Sequence, residues 1–81
     1  MNIYVGNLSP GTSERKIRKA FELYGVVGKI SLDSQTREDN AYLFCFIEMP
    51  FDNQALIAIR ELDGKLLDEH ILSIKESGVP A

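Results

Sequence analysis

The chain has 81 residues, 44% of them hydrophobic and 26% charged, which leaves room for one small core and no second one. A single cysteine, Cys45, excludes an intrachain disulfide, and one histidine beside it is too little for a Cys/His metal site. The net charge of −3 at pH 7 excludes indiscriminate binding to polyanions, which rests on a broad basic surface.

The opening apolar run is interrupted by Gly6 and Asn7 and has no basic leader, so neither a signal peptide nor a membrane span is expected. A reducing, cytoplasmic setting follows by default. Alternation through Ile3-Tyr4-Val5 predicts a first strand over residues 2–6, aliphatic side chains inward and Tyr4 outward. Residues 7–12, with Pro10-Gly11, read as a loop. Ser13 is the expected cap of a helix with Glu14 in its first turn. Within it Ile17, Ala20, Phe21 and Tyr24 form one apolar stripe, and Gly25 is expected to end it in a left-handed conformation.

A second strand is expected over residues 27–33, with Ile30 and Leu32 on one face and Lys29, Ser31 and Asp33 on the other. Residues 34–40 are polar and read as a loop. Residues 41–49 alternate again, with Leu43, Cys45, Ile47 and Met49 inward, until Pro50 removes a ladder donor. Asp52 is the expected cap of a second helix that buries Ala55, Ala58, Ile59 and Leu62 and closes at Asp63-Gly64. Residues 65–70 read as a turn or short hairpin. Residues 70–75 form the last expected strand, Leu72 and Ile74 inward, Ser73 and Lys75 outward. The domain is expected to span residues 1–76, followed by a short flexible tail over 77–81.

Two βαβ units of similar length imply an α+β, ferredoxin-like βαββαβ sandwich: a four-stranded antiparallel sheet with both helices on one face. The opposite face is then bare, and it carries Tyr4, Phe44 and Phe46. Aromatic rings held up to water are costly unless something flat lies on them, and unpaired nucleic-acid bases fit that need best.

The segments Ile3-Tyr4-Val5-Gly6-Asn7-Leu8 and Tyr42-Leu43-Phe44-Cys45-Phe46-Ile47-Glu48-Met49 resemble the two signature motifs of the RNA recognition motif family. The resemblance runs from about residue 2 to residue 75 and is to the small, single-domain bacterial members. It implies binding of single-stranded RNA, with single-stranded DNA as a further ligand, and no cofactor. Tyr4 and Phe44 would lie side by side and take one base each, while Phe46 would meet a sugar or sit between nucleotides. The second motif departs at its start. The family opens it with Lys or Arg and then Gly, where this chain has Tyr42 and Leu43, and Cys45 replaces the usual Gly or Ala. Tyr42 can therefore stack or donate one hydrogen bond but supplies no charge.

Around the rings, Asn7 is a candidate for a base edge or for tying its own loop. Asn2, Lys29, Ser31, Glu48, Ser73 and Lys75 share the expected sheet face. Lys29 and Lys75 are the candidates there for phosphate or base contacts, and Glu48 can accept from a base amino group. Arg37, beside Glu38 and Asp39, is a mobile cation for a phosphate. The denser cluster of Arg15, Lys16, Arg18 and Lys19 falls on the first helix, behind the rings, and reads as a solvated face.

Leu23, Leu56 and Ile57 are apolar at outward helix positions and are candidates for weak self-association or a protein partner. His70 has no carboxylate partner in view and reads as a surface residue. No nucleophile–base arrangement supports enzyme chemistry. The rival to RNA binding is a protein-interaction module on the same fold, favoured by the acidic balance and by Tyr42.

Overall fold

The computed structural model describes residues 1–80, with Arg37 described by its backbone alone. Its elements are β1 (Asn2–Leu8), α1 (Glu14–Glu22), β2 (Ile30–Arg37), β3 (Asn40–Glu48), α2 (Asp52–Leu62), β4 (Leu66–Leu67), β5 (His70–Ile71) and β6 (Ser73–Ser77). The main sheet runs β2-β3-β1-β6 with every pairing antiparallel, and β4-β5 is a separate hairpin. Ile3, Val5, Cys45, Ile47 and Ile74 from one sheet face join Ile17 and Phe21 of α1 and Ala55 and Ala58 of α2 in a single buried core. Both helices therefore cover the same side, and the ferredoxin-like sandwich expected from the pattern is the observed fold.

The helix starts have different chemistry. Ser13 caps α1, its Oγ accepting from the Lys16 N–H at 3.2 Å. Phe51, not Asp52, occupies the cap position of α2, and no side chain caps it there. Asp52 instead stands in the first turn, 3.4 Å from the Met1 ammonium, where a carboxylate favours the helix dipole. Gly25 is not the left-handed terminator expected. It lies beyond the Leu23 cap at φ 158°, outside the left-handed helical region but rarely adopted by L residues, and a Cβ there would come 2.1 Å from Gln54 Oε1, so backbone and space both require glycine.

Strands extend where loops were expected. β1 continues to Leu8 through a bulge: Val5 pairs with Cys45 and the next pair is Leu8 with Leu43, so β1 has one residue more than β3. Asn7 takes φ 59° there, and the extra residue turns Leu8 back into the core at 2% exposure. β2 and β3 form one hairpin across the polar segment read as a loop, with Arg37 paired to Asn40. Its turn residues, Glu38 and Asp39, have φ of 49° and 66°. The last segment divides, with His70 and Ile71 in the small hairpin and β6 reaching Ser77, which pairs with Asn2.

Cys45 is fully buried and its thiol is pushed up to about 12, by desolvation first and by Glu14 second. It acts as a small core residue. The helix layer leaves Leu23, Leu56 and Ile57 exposed.

Candidate nucleic-acid interface

The uncovered sheet face is set by register. Ser31, Phe46, Tyr4 and Lys75 form one row across the four strands; Asp33, Phe44, Gly6 and Ser73 stand around the next; Gln35 and Tyr42 make a third. Phe46 is thus directly across from Tyr4, and Phe44 sits on the diagonal. The ring centroids of Tyr4 and Phe46 are 5.6 Å apart, those of Tyr4 and Phe44 6.1 Å, and those of Phe44 and Phe46 6.0 Å. All three distances lie in the range where aromatic pairs attract, so the rings hold one another in place. Each is half-buried, and Tyr42 is exposed.

Two neighbours fix the Tyr4 ring. A Cβ on Gly6 would fall 2.7 Å from Tyr4 Oη, so the ring lies over that backbone because no side chain opposes it. From the neighbouring strand, Lys75 Nζ stands 5.4 Å from the ring centroid in cation–π range. Lys29 and Glu48 are both exposed at the end of β3 away from the β2–β3 turn, where the Glu48 N–H donates to the Lys29 carbonyl at 2.8 Å. The Arg37 side chain lies outside the described residues.

Asn7 is engaged already. Its Nδ2 donates to the Ile71 carbonyl at 2.7 Å, tying the bulge of β1 to the small hairpin. Beside it the face dips into a cleft of about 330 Å³ lined by Tyr4, Asn7, Gln35, Tyr42, Leu43 and Phe44. Gln35 is the member that sequence reasoning missed. It stands in a polar run with no apolar period, and only the pairing of Gln35 with Tyr42 brings it to the rings.

Half of the basic cluster on α1 is committed to the fold. Arg18 donates to the carbonyls of Val27 and Gly28 at 3.1 and 2.8 Å, holding the approach to β2. Lys16 donates to Asp68, which also accepts from Thr12 Oγ1 at 2.8 Å. The Lys16 ammonium, then Thr12, and to a lesser degree the charge of His70 hold the Asp68 carboxyl below its ordinary range. Lys16 near the N-terminal end of α1, unfavourable to the helix dipole by itself, thus has a structural partner. Among the described residues, no His/Cys/Asp/Glu cluster could hold a metal ion, and no helix is long and apolar enough to cross a membrane.

Comparison with known proteins agrees with this geometry. A family model described as RNA recognition motif matches residues 3–73. RbpD of Nostoc sp., provisionally named an RNA-binding protein, is 41% identical over 64 residues, covering 79% of this chain and 68% of that protein. RbpA of Synechocystis sp., named in the same way, is 38% identical over 64 residues, 79% of this chain and 63% of its own. The chain spans 61% to 68% of the length of the four cyanobacterial relatives it matches. Among solved structures, the crystal structure of RNA Binding Protein PG1 superposes with a TM-score of 0.86 at 31% identity, over 100% of this chain and 98% of that one. The Rna15 domain with bound RNA (GU) superposes at 0.81 with 20% identity, over 96% and 83% of the two chains, a likeness of fold.

Proposed function

The chain belongs to the RNA recognition motif family, and we propose on that footing that it binds single-stranded RNA by stacking bases on its open sheet face. The observation that carries the proposal is the plate of Tyr4, Phe46 and Phe44, half-exposed and within about 6 Å of one another. Tyr4 and Phe46, opposite each other on the central strands, are the natural supports for two successive bases, with Phe44 against the sugars or a third base. Two stacks contribute roughly 2–6 kcal/mol, while micromolar affinity needs about 8 kcal/mol. Hydrogen bonds and phosphate contacts must supply the difference.

Lys75 and Lys29 are the proposed phosphate or base contacts, with Arg37 a third from the β2–β3 turn and Glu48 as an acceptor for a base amino group. Asn7 contributes through its carbonyl oxygen and its second amide N–H, one N–H being donated to Ile71. Nothing in this arrangement depends on a ribose 2′-hydroxyl, so single-stranded DNA belongs to the same proposal. A cytoplasmic setting does too. The rings favour RNA over the protein-binding alternative, because a bare aromatic plate suits bases.

NMR titration with short single-stranded RNA is the test. Shifts are expected on β1 and β3, and Tyr4→Ala or Phe46→Ala should each weaken binding about 5- to 100-fold with the circular dichroism spectrum unchanged. Shifts confined to α1 and α2, or both variants binding like the parent, would reject it.

A further inference from the structure

We propose that the cleft between Tyr42, Gln35 and Phe44 is an additional base subsite that prefers purines to pyrimidines; this rests on the stacking reading above and extends it. Three observations converge. The cleft, at about 330 Å³, opens beside the Tyr4 and Phe44 rings, so a strand crossing them can continue into it without leaving the sheet. Its walls are aromatic on two sides, Tyr42 and Phe44 standing two residues apart on the same face of β3. Its polar group is the Gln35 carboxamide, placed directly across from Tyr42 by the β2–β3 register.

Among the described residues that line the cleft none is a cation, and two rings with a carboxamide suit a base better than a phosphate. A carboxamide offers a donor and an acceptor side by side. Adenine matches that pair twice, through its N6 amino group with N7 and again through N6 with N1. Guanine also matches it on two edges, through N1–H with O6 and N2–H with N3, whereas cytosine and uracil match it on the Watson–Crick edge alone. Asn7 at the cleft wall adds an acceptor and one further N–H, its other N–H being donated to Ile71. The position that the family motif opens with Lys or Arg holds Tyr42, a ring that stacks. Charge is exchanged for base recognition.

The test is fluorescence anisotropy of the full chain with the single-stranded hexanucleotides A6, U6 and C6, for the parent and for Gln35→Ala, Tyr42→Ala, Tyr42→Phe and Tyr4→Ala. The parent should prefer A6. Gln35→Ala should remove most of that preference, about a five- to hundred-fold loss for A6 with little change for U6 and C6. Tyr42→Ala should weaken all three, and Tyr42→Phe, which keeps the ring, should restore them. Parental affinity and base ranking in both Gln35→Ala and Tyr42→Ala, with Tyr4→Ala still weakened, would overturn the subsite and leave the stacking plate standing. A parent that binds none of the three strands would overturn the plate, and the subsite with it.

Discussion

The ring of Tyr4 lies over the backbone of Gly6, where a Cβ would meet Oη at 2.7 Å and Cε1 at 2.9 Å. These atoms are the far end of a side chain, so a methyl group at Gly6 can be accommodated by swinging the ring aside rather than by moving the strand. Gly6→Ala should therefore leave the melting temperature within a few degrees of the parent, since a substitution near 0.5 kcal/mol shifts a domain of this size by about 2–4 °C. RNA affinity should fall about tenfold, because the displaced ring leaves its place beside Phe46 and Phe44. Thermal melting and anisotropy on one preparation check this, and parental affinity would show that ring placement is unimportant. The plate itself was legible, since alternation alone puts Tyr4, Phe44 and Phe46 on one face. Gln35 was not, because its value comes from a partner in another strand.

The β4–β5 hairpin is pinned to the start of α1 by Asp68, which accepts from Thr12 and Lys16, and to the β1 bulge by the Asn7 amide bonded to Ile71. The pinned Asp68 carboxyl titrates below its ordinary 3.8, chiefly through the Lys16 hydrogen bond. Its stabilisation is complete above that ordinary value and is lost as pH falls through the lower folded value. Urea unfolding across the acid range should show the parent losing this contribution below about pH 4, where Asp68→Asn has none to lose. The two curves should converge in acid and separate above it. Parallel curves would mean the carboxylate is not the pin. Of the elements, helices and inner strands announce themselves by apolar period, and Ser13 by its capping chemistry. The β2–β3 hairpin does not, because Glu38-Asp39 take positive φ without the glycine that usually marks such turns, whereas the turn or short hairpin expected over residues 65–70 is the β4–β5 hairpin. The β1 bulge is equally silent: Leu8 is out of phase with Ile3 and Val5 until the extra residue is known.

A net charge of −3 and an RNA-binding fold are compatible once the cations of α1 and of the ring face are told apart. Arg18 is spent on the carbonyls of Val27 and Gly28 and Lys16 on Asp68, leaving Arg15 and Lys19 exposed on α1, whose buried side packs against the sheet face opposite the rings. The proposed phosphate contacts reduce to Lys29, Lys75 and Arg37, and Lys75 is partly engaged over Tyr4. Each phosphate neutralised on a single strand contributes about −0.7 to the slope of log K against log salt. Two or three contacts therefore give a slope of roughly −1.4 to −2.1. Stacking is nearly indifferent to salt, so affinity should survive at concentrations that strip a basic RNA-binding domain from its ligand. Anisotropy titrations from about 50 mM to 500 mM salt measure the slope directly, and the variant Tyr42→Lys should steepen it by about 0.7. A parental slope beyond about −4 would mean that α1 also meets the strand, and the ring face would then be only part of the interface.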